Sequence, residues 1–415
     1  MYWAWACLAD WYRATNAKDD YLKTAELLNR VWPLEAVPMG YLGEARLWAG
    51  DRAGARQVLQ AAMERYPDYD FAAATLFEVE MEDGNRDAAA AALQVLRVHA
   101  PGLMTMARDI RFKAHYESGD AAVAALRELA AVKTQETEPL EMAARSMGDS
   151  HMREHVVAVL REAVERPTVS PIAGGLLVEQ FCKLRRWQDA RLFVQAKLND
   201  GEVGRSAARA LCFHFAADQQ TTELTHLLRT HHEPLRRDTE LWGWTGYALF
   251  SLRHHKQAVE WMKDWRDRGD AASWMLVNAG EALRALGRDD EAREVHRHAL
   301  TLESAPGPRS IHSLWLAADA ALSNAWAEVE PLMQRVDSAS LRPCHQFLRG
   351  LIDAMVIAHQ QRPFAEVRHY LESALAAHPS FRQEEELRLV YRRVRKRLSK
   401  LTRGFAAWWY FFNRG

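Results

Sequence analysis

Seventeen histidines and four cysteines are the residues of this 415-residue chain whose chemistry is most versatile. His151 and His155 stand four apart, which puts two imidazoles on one helical face where they could share a metal. Met152, Arg153 and Glu154 between them do not complete the HExxH pattern, in which a glutamate directly after the first histidine serves as general base, and no third ligand stands out. The pairs His231-His232 and His254-His255 are adjacent, and neighbouring helical residues point in different directions; His296 and His298 have the same defect. Cys7, Cys182, Cys212 and Cys344 lie far apart without a CxxC, each within a predicted helix, so buried thiols in a reducing compartment are expected. No phosphate-binding loop, dinucleotide fingerprint or G-x-S-x-G elbow is present, and Gly174-Gly175 reads as a tightly packed helix. Carboxylates are plentiful, yet none forms a recognisable acid and base pair. The expectation is no catalytic residue, no metal and no cofactor. An enzyme with an unfamiliar site stays open, because fold alone never excludes catalysis.

Elements must position whatever function there is, and composition says they are helices. The chain is 48% hydrophobic and 26% charged, rich in Ala and Leu, with few runs of Val, Ile and Thr. Lys and Arg number 54 against 55 Asp and Glu, which argues against a nucleic-acid binder with a basic surface. The opening MYWAWACLADWYRATNAKDD has no basic n-region and is interrupted by Asp10, so no secretory signal is predicted. No run of 18 apolar residues occurs. A cytoplasmic protein is the expectation, with peripheral membrane attachment as an alternative.

An internal register organises these helices. Pro33, Pro67 and Pro101 are spaced by 34, as are Gly50 and Gly84, Ala55 and Ala89, Leu59 and Leu93, Gly246 and Gly280, and Ala258 and Ala292. From Gly50 to Gly287 the phase runs seven periods less one residue, so a single residue has been lost between them. Each period holds two amphipathic stretches separated by a short turn, as in EARLWAGDRAGARQVLQAAMERYP, with Gly50-Asp51 at the turn. A lone hairpin could not cover its apolar face, whereas a stack can.

These residues resemble the tetratricopeptide repeat family, whose pattern is W-x2-L-G-x2-Y in a first helix and A-x3-F in a second. Trp5-x2-Leu8-Ala9-x2-Tyr12 follows the first half, and Trp242-x2-Thr245-Gly246-x2-Leu249 follows it in part. Ala55-x3-Leu59, Ala89-x3-Leu93, Ala190-x3-Val194 and Ala258-x3-Met262 follow the second with an aliphatic residue for Phe. The resemblance implies an all-α, right-handed superhelical solenoid of about eleven helix-turn-helix repeats with a C-terminal amphipathic helix. Repeat starts are predicted near 2, 36, 70, 104, 138, 171, 205, 239, 273, 307 and 341, with weak matches at 104–170 and 307–345. The organisation read from this is repeats over 1–137, a degenerate repeat or bend over 138–170, repeats over 171–380 and a basic capping helix with an aromatic tail over 381–415. Two arrays joined around 131–140 are the alternative. Distortion is expected at ELAAVKTQETEPLEMAARSMGDSH.

The family commonly binds peptides or partner proteins along the concave face made by first helices. Carried onto this chain, that surface includes Trp48, Arg209, Phe213, Trp244, Tyr247, Asn278, Glu281 and Arg284. Trp5 and Trp242 occupy the repeat's own pattern position and are expected in the core. Trp244, two residues after Trp242, faces away and forms an aromatic surface with Tyr247 and Phe250, although contact with a neighbouring repeat is an equal reading. The Lys and Asn clamp for a C-terminal carboxylate, used by chaperone-binding members, is not recoverable here.

The last 35 residues carry ten Arg or Lys and three Glu, a net of +7; with the whole chain at -1, the preceding 380 carry -8. Val390, Val394, Leu398, Leu401 and Phe405 form an apolar stripe, and Trp408-Trp409-Tyr410-Phe411-Phe412 follows. Several readings of this segment are open: a cap on the last repeat, attachment of residues 388–415 to an anionic membrane, or docking on a partner protein or another subunit, with Arg393, Lys396, Arg397, Trp408 and Trp409 as contacts; nucleic acid is the weakest, since one basic helix without a recognisable motif says little. The overall expectation is a non-catalytic scaffold or adaptor with a protein or peptide partner.

Overall fold

The computed structural model describes residues 2–166, 169–302 and 305–402, with residues 407 and 410. Those residues are all helix and turn, and they divide into two compact units, Met1–Leu211 and Cys212–Gly415. In the first unit α1 (Tyr2–Ala14) pairs with α2 (Lys18–Val31), α3 (Ala36–Trp48) with α4 (Arg52–Arg65) and α5 (Asp70–Glu82) with α6 (Arg86–His99). It continues through α7 (Leu103–Tyr116), α8 (Gly119–Ala131), α9 (Glu138–Asp149), α10 (Arg153–Ala163), α11 (Ile172–Lys183) and α12 (Trp187–Lys197). Helix α13 (Gly201–Ala217) crosses the unit boundary and precedes α14 (Thr221–Arg237). The second unit then pairs α15 (Thr239–Ser251) with α16 (His255–Trp261), α17 (Ser273–Ala285) with α18 (Asp289–Ala299), α19 (Pro306–Ser323) with α20 (Trp326–Met333) and α21 (Pro343–His359) with α22 (Phe364–Ala377). Helix α23 (Glu385–Leu401) follows.

The turn inside each hairpin carries the period. Most of these turns place one residue in the left-handed region: Asn16, Gly50, Gly84, His151, Arg185, Gln219, Arg253, Gly287, Asn324 and Gln361. Successive members are 34 apart except at three steps. Gly84 to His151 spans 67, because Tyr116 and Gly119 bound a turn one residue shorter, without a left-handed residue; the residue missing from the register was lost here. Gly287 to Asn324 and Asn324 to Gln361 each span 37, because α19 and α21 are 18 and 17 residues long against 13 for α15 and α17. The pattern fades over 307–345 because the period itself lengthens. The stretch 128–151, expected to be distorted, forms regular ends of α8 and α9 on either side of a loop.

Packing inside the hairpins depends on small residues opposite large ones. A Cβ added at Gly43 would lie 2.5 Å from Leu59, one at Gly246 would lie 2.4 Å from Met262, and one at Gly280 would lie 2.4 Å from His296. In all three the partner follows by 16 residues, so a glycine on the first helix receives one side chain of the second. Trp242 is fully buried, as expected, but Trp5 is 36% exposed. Cysteine placement also departs from expectation, since Cys182 and Cys212 are buried, Cys344 half-buried and Cys7 exposed.

Gly50 offers a clean test of the turn. Its φ is +84°, and an added Cβ would meet no atom within 4 Å, so any penalty comes from the backbone. Gly50→Ala should therefore cost about 1 kcal/mol, and Arg185→Gly, at the equivalent turn, should stabilise by a similar amount. Urea unfolding of the two variants beside the wild type checks both signs.

Candidate partner-binding surface

Consecutive first helices of the second unit carry a strip of aromatic rings. Phe213 on α13 and Trp244 on α15 have centroids 6.5 Å apart, Trp244 and Tyr247 are 5.5 Å apart, and Trp244 meets Trp274 on α17 at 5.1 Å. Phe213 is 45% exposed, while Trp244, Tyr247 and Trp274 are half-buried. Trp244 thus does both things considered for it: it touches the hairpins on either side and keeps part of its ring at the surface. Phe250 turns to His255, 5.5 Å away. In the first unit, Trp48 is half-buried against Tyr21 at 5.4 Å, and Arg209 is exposed.

Asn278, Glu281 and Arg284 lie elsewhere than on an open face; all three are buried. Glu281 accepts from Trp315 Nε1 at 3.2 Å and pairs with His345 Nε2 at 3.1 Å, from a helix two hairpins further on. Arg284 donates two parallel bonds to Asp319, at 3.0 and 2.7 Å, with its guanidinium carbon 4.4 Å from the Trp315 ring centroid. Its Nε donates to His296 Nε2 at 3.3 Å. That leaves His296 Nδ1 to donate to His312 Nδ1 at 2.8 Å, and His312 Nε2 to donate to the Ser273 carbonyl at 3.1 Å. The chain from Asp319 to Ser273 is satisfied at every link. The first helices converge closely enough that polar groups of α17 are used between helices instead of at the surface.

The charges follow from this arrangement. Burial, with Arg284 and the neighbouring histidine behind it, holds His296 well below its ordinary range, and burial takes His312 down to about 4, so both are neutral relays. Burial also opposes the proton on His345, but Cys344 and the Glu281 carboxylate outweigh it and raise His345 to about 9. Glu281, despite its burial, is drawn below the usual carboxylate range by His345 and Trp315. His296, beside His298 a poor metal pair by spacing, is instead a buried structural group. Its signal was the pattern: Ala292-x3-His296 puts an imidazole where the repeat wants a large apolar residue, and a buried imidazole needs polar partners. Among the described residues no group of three or more His, Cys, Asp or Glu is arranged to hold a metal.

At the C-terminus the apolar stripe is used within the fold. Val390, Val394 and Leu398 are buried and Leu401 half-buried, while Phe405, Trp408 and Trp409 lie outside the described residues. Arg393 pairs with Asp289 at 2.5 Å, Lys396 is exposed, and Arg397 is half-buried. No helix among the described residues is long and apolar enough to cross a membrane.

Tandem antiparallel helix pairs, with the same left-handed turn and glycine contact recurring along the chain, define a helical-repeat protein. Residues 41–69 match the tetratricopeptide repeat family model, and the hairpins on both sides are built on the same plan. A search of curated proteins finds no match. Similar solved structures include the TPR domain of P58(IPK), at 12% identity and a TM-score of 0.24 over 80% of this chain and 98% of that one. They also include Naa15/Naa10 bound to HypK-THB, at 14% identity and a TM-score of 0.45 over 99% of this chain and 80% of the other. A third is the APC/C hetero-tetramer Cut9-Hcn1, at 11% identity and a TM-score of 0.37 over 93% and 95%.

Two outcomes test the buried network. Arg284→Ala removes the two bonds that Asp319, 8% exposed, accepts and leaves it only Arg293 Nε at 3.5 Å, so it should destabilise the second unit by about 3 kcal/mol, read by thermal unfolding. His345 binds its proton more tightly when folded than at the ordinary 6.5, so its contribution is complete below pH 6.5 and is lost as pH rises through about 9. Urea titrations at both pH values should show that loss, and Glu281→Gln should flatten it.

Proposed function

We propose that the protein is a non-catalytic scaffold that binds a partner protein or peptide across the first-helix face of its second unit. The observation that carries this reading is the strip formed by Phe213, Trp244, Tyr247 and Trp274, large rings on three successive first helices that keep area at the surface. Partly exposed aromatic clusters are what protein interfaces use as anchors. Trp48 and Arg209 belong to the first unit and would extend recognition there rather than complete this strip. The strongly perturbed histidines argue for structure over catalysis, because His296, His312 and His345 are spent on buried partners. Lipid attachment through the C-terminal stripe would require α23 to surrender the contacts that bury Val390, Val394 and Leu398. A cytoplasmic location is part of the proposal and rests on the sequence reading alone.

Affinity capture from the native cell identifies the partner, and replacing Trp244 and Tyr247 together with Ala should weaken its binding by more than about 2 kcal/mol. Melting must be recorded beside it, since Trp244 packs on Trp274. Normal binding by a variant that melts much lower would make the rings packing residues and end the assignment.

A further inference from the structure

The burial of Glu281 has a second cause, and it comes from the far end of the chain. Within the second unit a first helix packs on the pair before it: α17 on α15 and α16, α19 on α17 and α18. Helix α23 does not continue that pattern. It lies on α21 and reaches back to α17 and α19, crossing the first helices of three successive hairpins. Leu387, Val390, Val394 and Leu398, spaced three, four and four, are all buried in that crossing. Tyr391 packs 4.8 Å from Phe381 and 6.2 Å from Phe347 of α21. Arg393 reaches Asp289 at the start of α18, and Glu384 and Glu386 close a cavity of about 240 Å³ with Phe250, Ser251, Arg253 and His255.

This is how an amphipathic helix sits in a groove as a ligand: an apolar row at helical spacing inside, basic residues at the rim. The seat is also imperfect for a permanent core helix. Glu386 is 6% exposed with Glu281 among the charges it feels, and burial together with that like charge pushes it up to about 8. Arg397 Nε is buried without an acceptor. Such groups carry a desolvation cost that release of the helix would return.

We propose that the face formed by α17, α19 and α21 is a binding surface for a basic amphipathic helix of a partner protein, and that α23 is its resident occupant, which the partner displaces. The inference rests on the scaffold reading and deepens it with a partner class and a built-in competitor. It does not depend on the aromatic strip. An occupant held in cis competes at high effective concentration, so the face is open to a partner only for the fraction of time that α23 is away.

The test uses the full chain and a fluorescent peptide with the sequence of residues 385–401, followed by anisotropy. Val394→Asp with Leu398→Asp weakens the resident helix and leaves the face intact. This variant should bind the peptide at least about ten-fold more tightly than the wild type does, and a peptide carrying the same two changes should bind neither. A folded variant that fails to bind the peptide overturns the proposal. Should the variant unfold, hydrogen exchange of the wild type decides: residues 388–401 should exchange ahead of α19 and α21, and exchange of all three only in one common step makes α23 a core helix and overturns it. Adding Trp244→Ala and Tyr247→Ala to the variant separates the two readings. Retained peptide binding with loss of the native partner assigns the sites independently, whereas peptide loss joins them and contradicts the separate groove.

Discussion

The hairpins of this molecule depend on the distance of approach between two helices joined, in most of them, by a three-residue link. At Gly43, Gly246 and Gly280 the first helix offers no Cβ, and the side chain 16 residues later occupies the space a Cβ would need. That contact brings the helix pair close enough to exclude water and leaves the outer side of the first helix to meet the next hairpin. The left-handed residue in the turn sets where the second helix begins. Where the chain supplies Arg185, Gln219 or Arg253 there instead of glycine, the backbone bears a steric cost that packing on both sides outweighs.

The same contact explains why the second unit has a polar interior. At Gly280 the incoming side chain is His296, so the space that Leu59 fills in its own hairpin is filled by a group with two nitrogens to satisfy. Arg284 supplies one partner and His312 the other; Arg284 then needs Asp319, and its guanidinium stacks on Trp315, whose Nε1 turns to Glu281. One polar residue at a packing position thereby commits side chains on α17, α18 and α19 to a shared network. Networks of this kind specify a single arrangement, because any shift of one helix against another leaves a buried group unpaired.

Legibility differed between the fold and its surfaces, and the difference has a physical source. Period and hairpin starts are local properties: glycine at 50, 84 and 287 and alanine at 55, 89 and 258 mark turns and close contacts without knowledge of the rest of the chain. The shortened α7–α8 turn and the 37-residue steps after Gly287 were less visible because length changes there alter no residue type. Helical phase puts Glu281 and Arg284 among the surface residues of the first-helix face, whereas both are buried. It could not tell that the face closes, since that depends on His345 arriving from two hairpins away and on how neighbouring helices incline. Trp244 was ambiguous for the same reason: phase says a ring leaves its own hairpin's core, while the distance to Trp274 decides how much of it remains outside.

The C-terminal helix shows where charge arithmetic stops and geometry takes over. A segment of +7 following 380 residues of -8 is attracted to acidic surfaces in general, and the chain's own array is one of them. Attraction between separated charges is screened over about 10 Å, so it can bring the segment near but cannot select a seat. Selection comes from the apolar row of Leu387, Val390, Val394 and Leu398, which needs a matching depression, and from Arg393, which finds Asp289 at the edge of one. The row would fit lipid equally well if it were free; the array competes for it with the advantage of being part of the same chain. Seated there, the helix covers polar groups that the repeat pattern alone would have left facing outward, and the interior of the second unit is completed from the end of the chain.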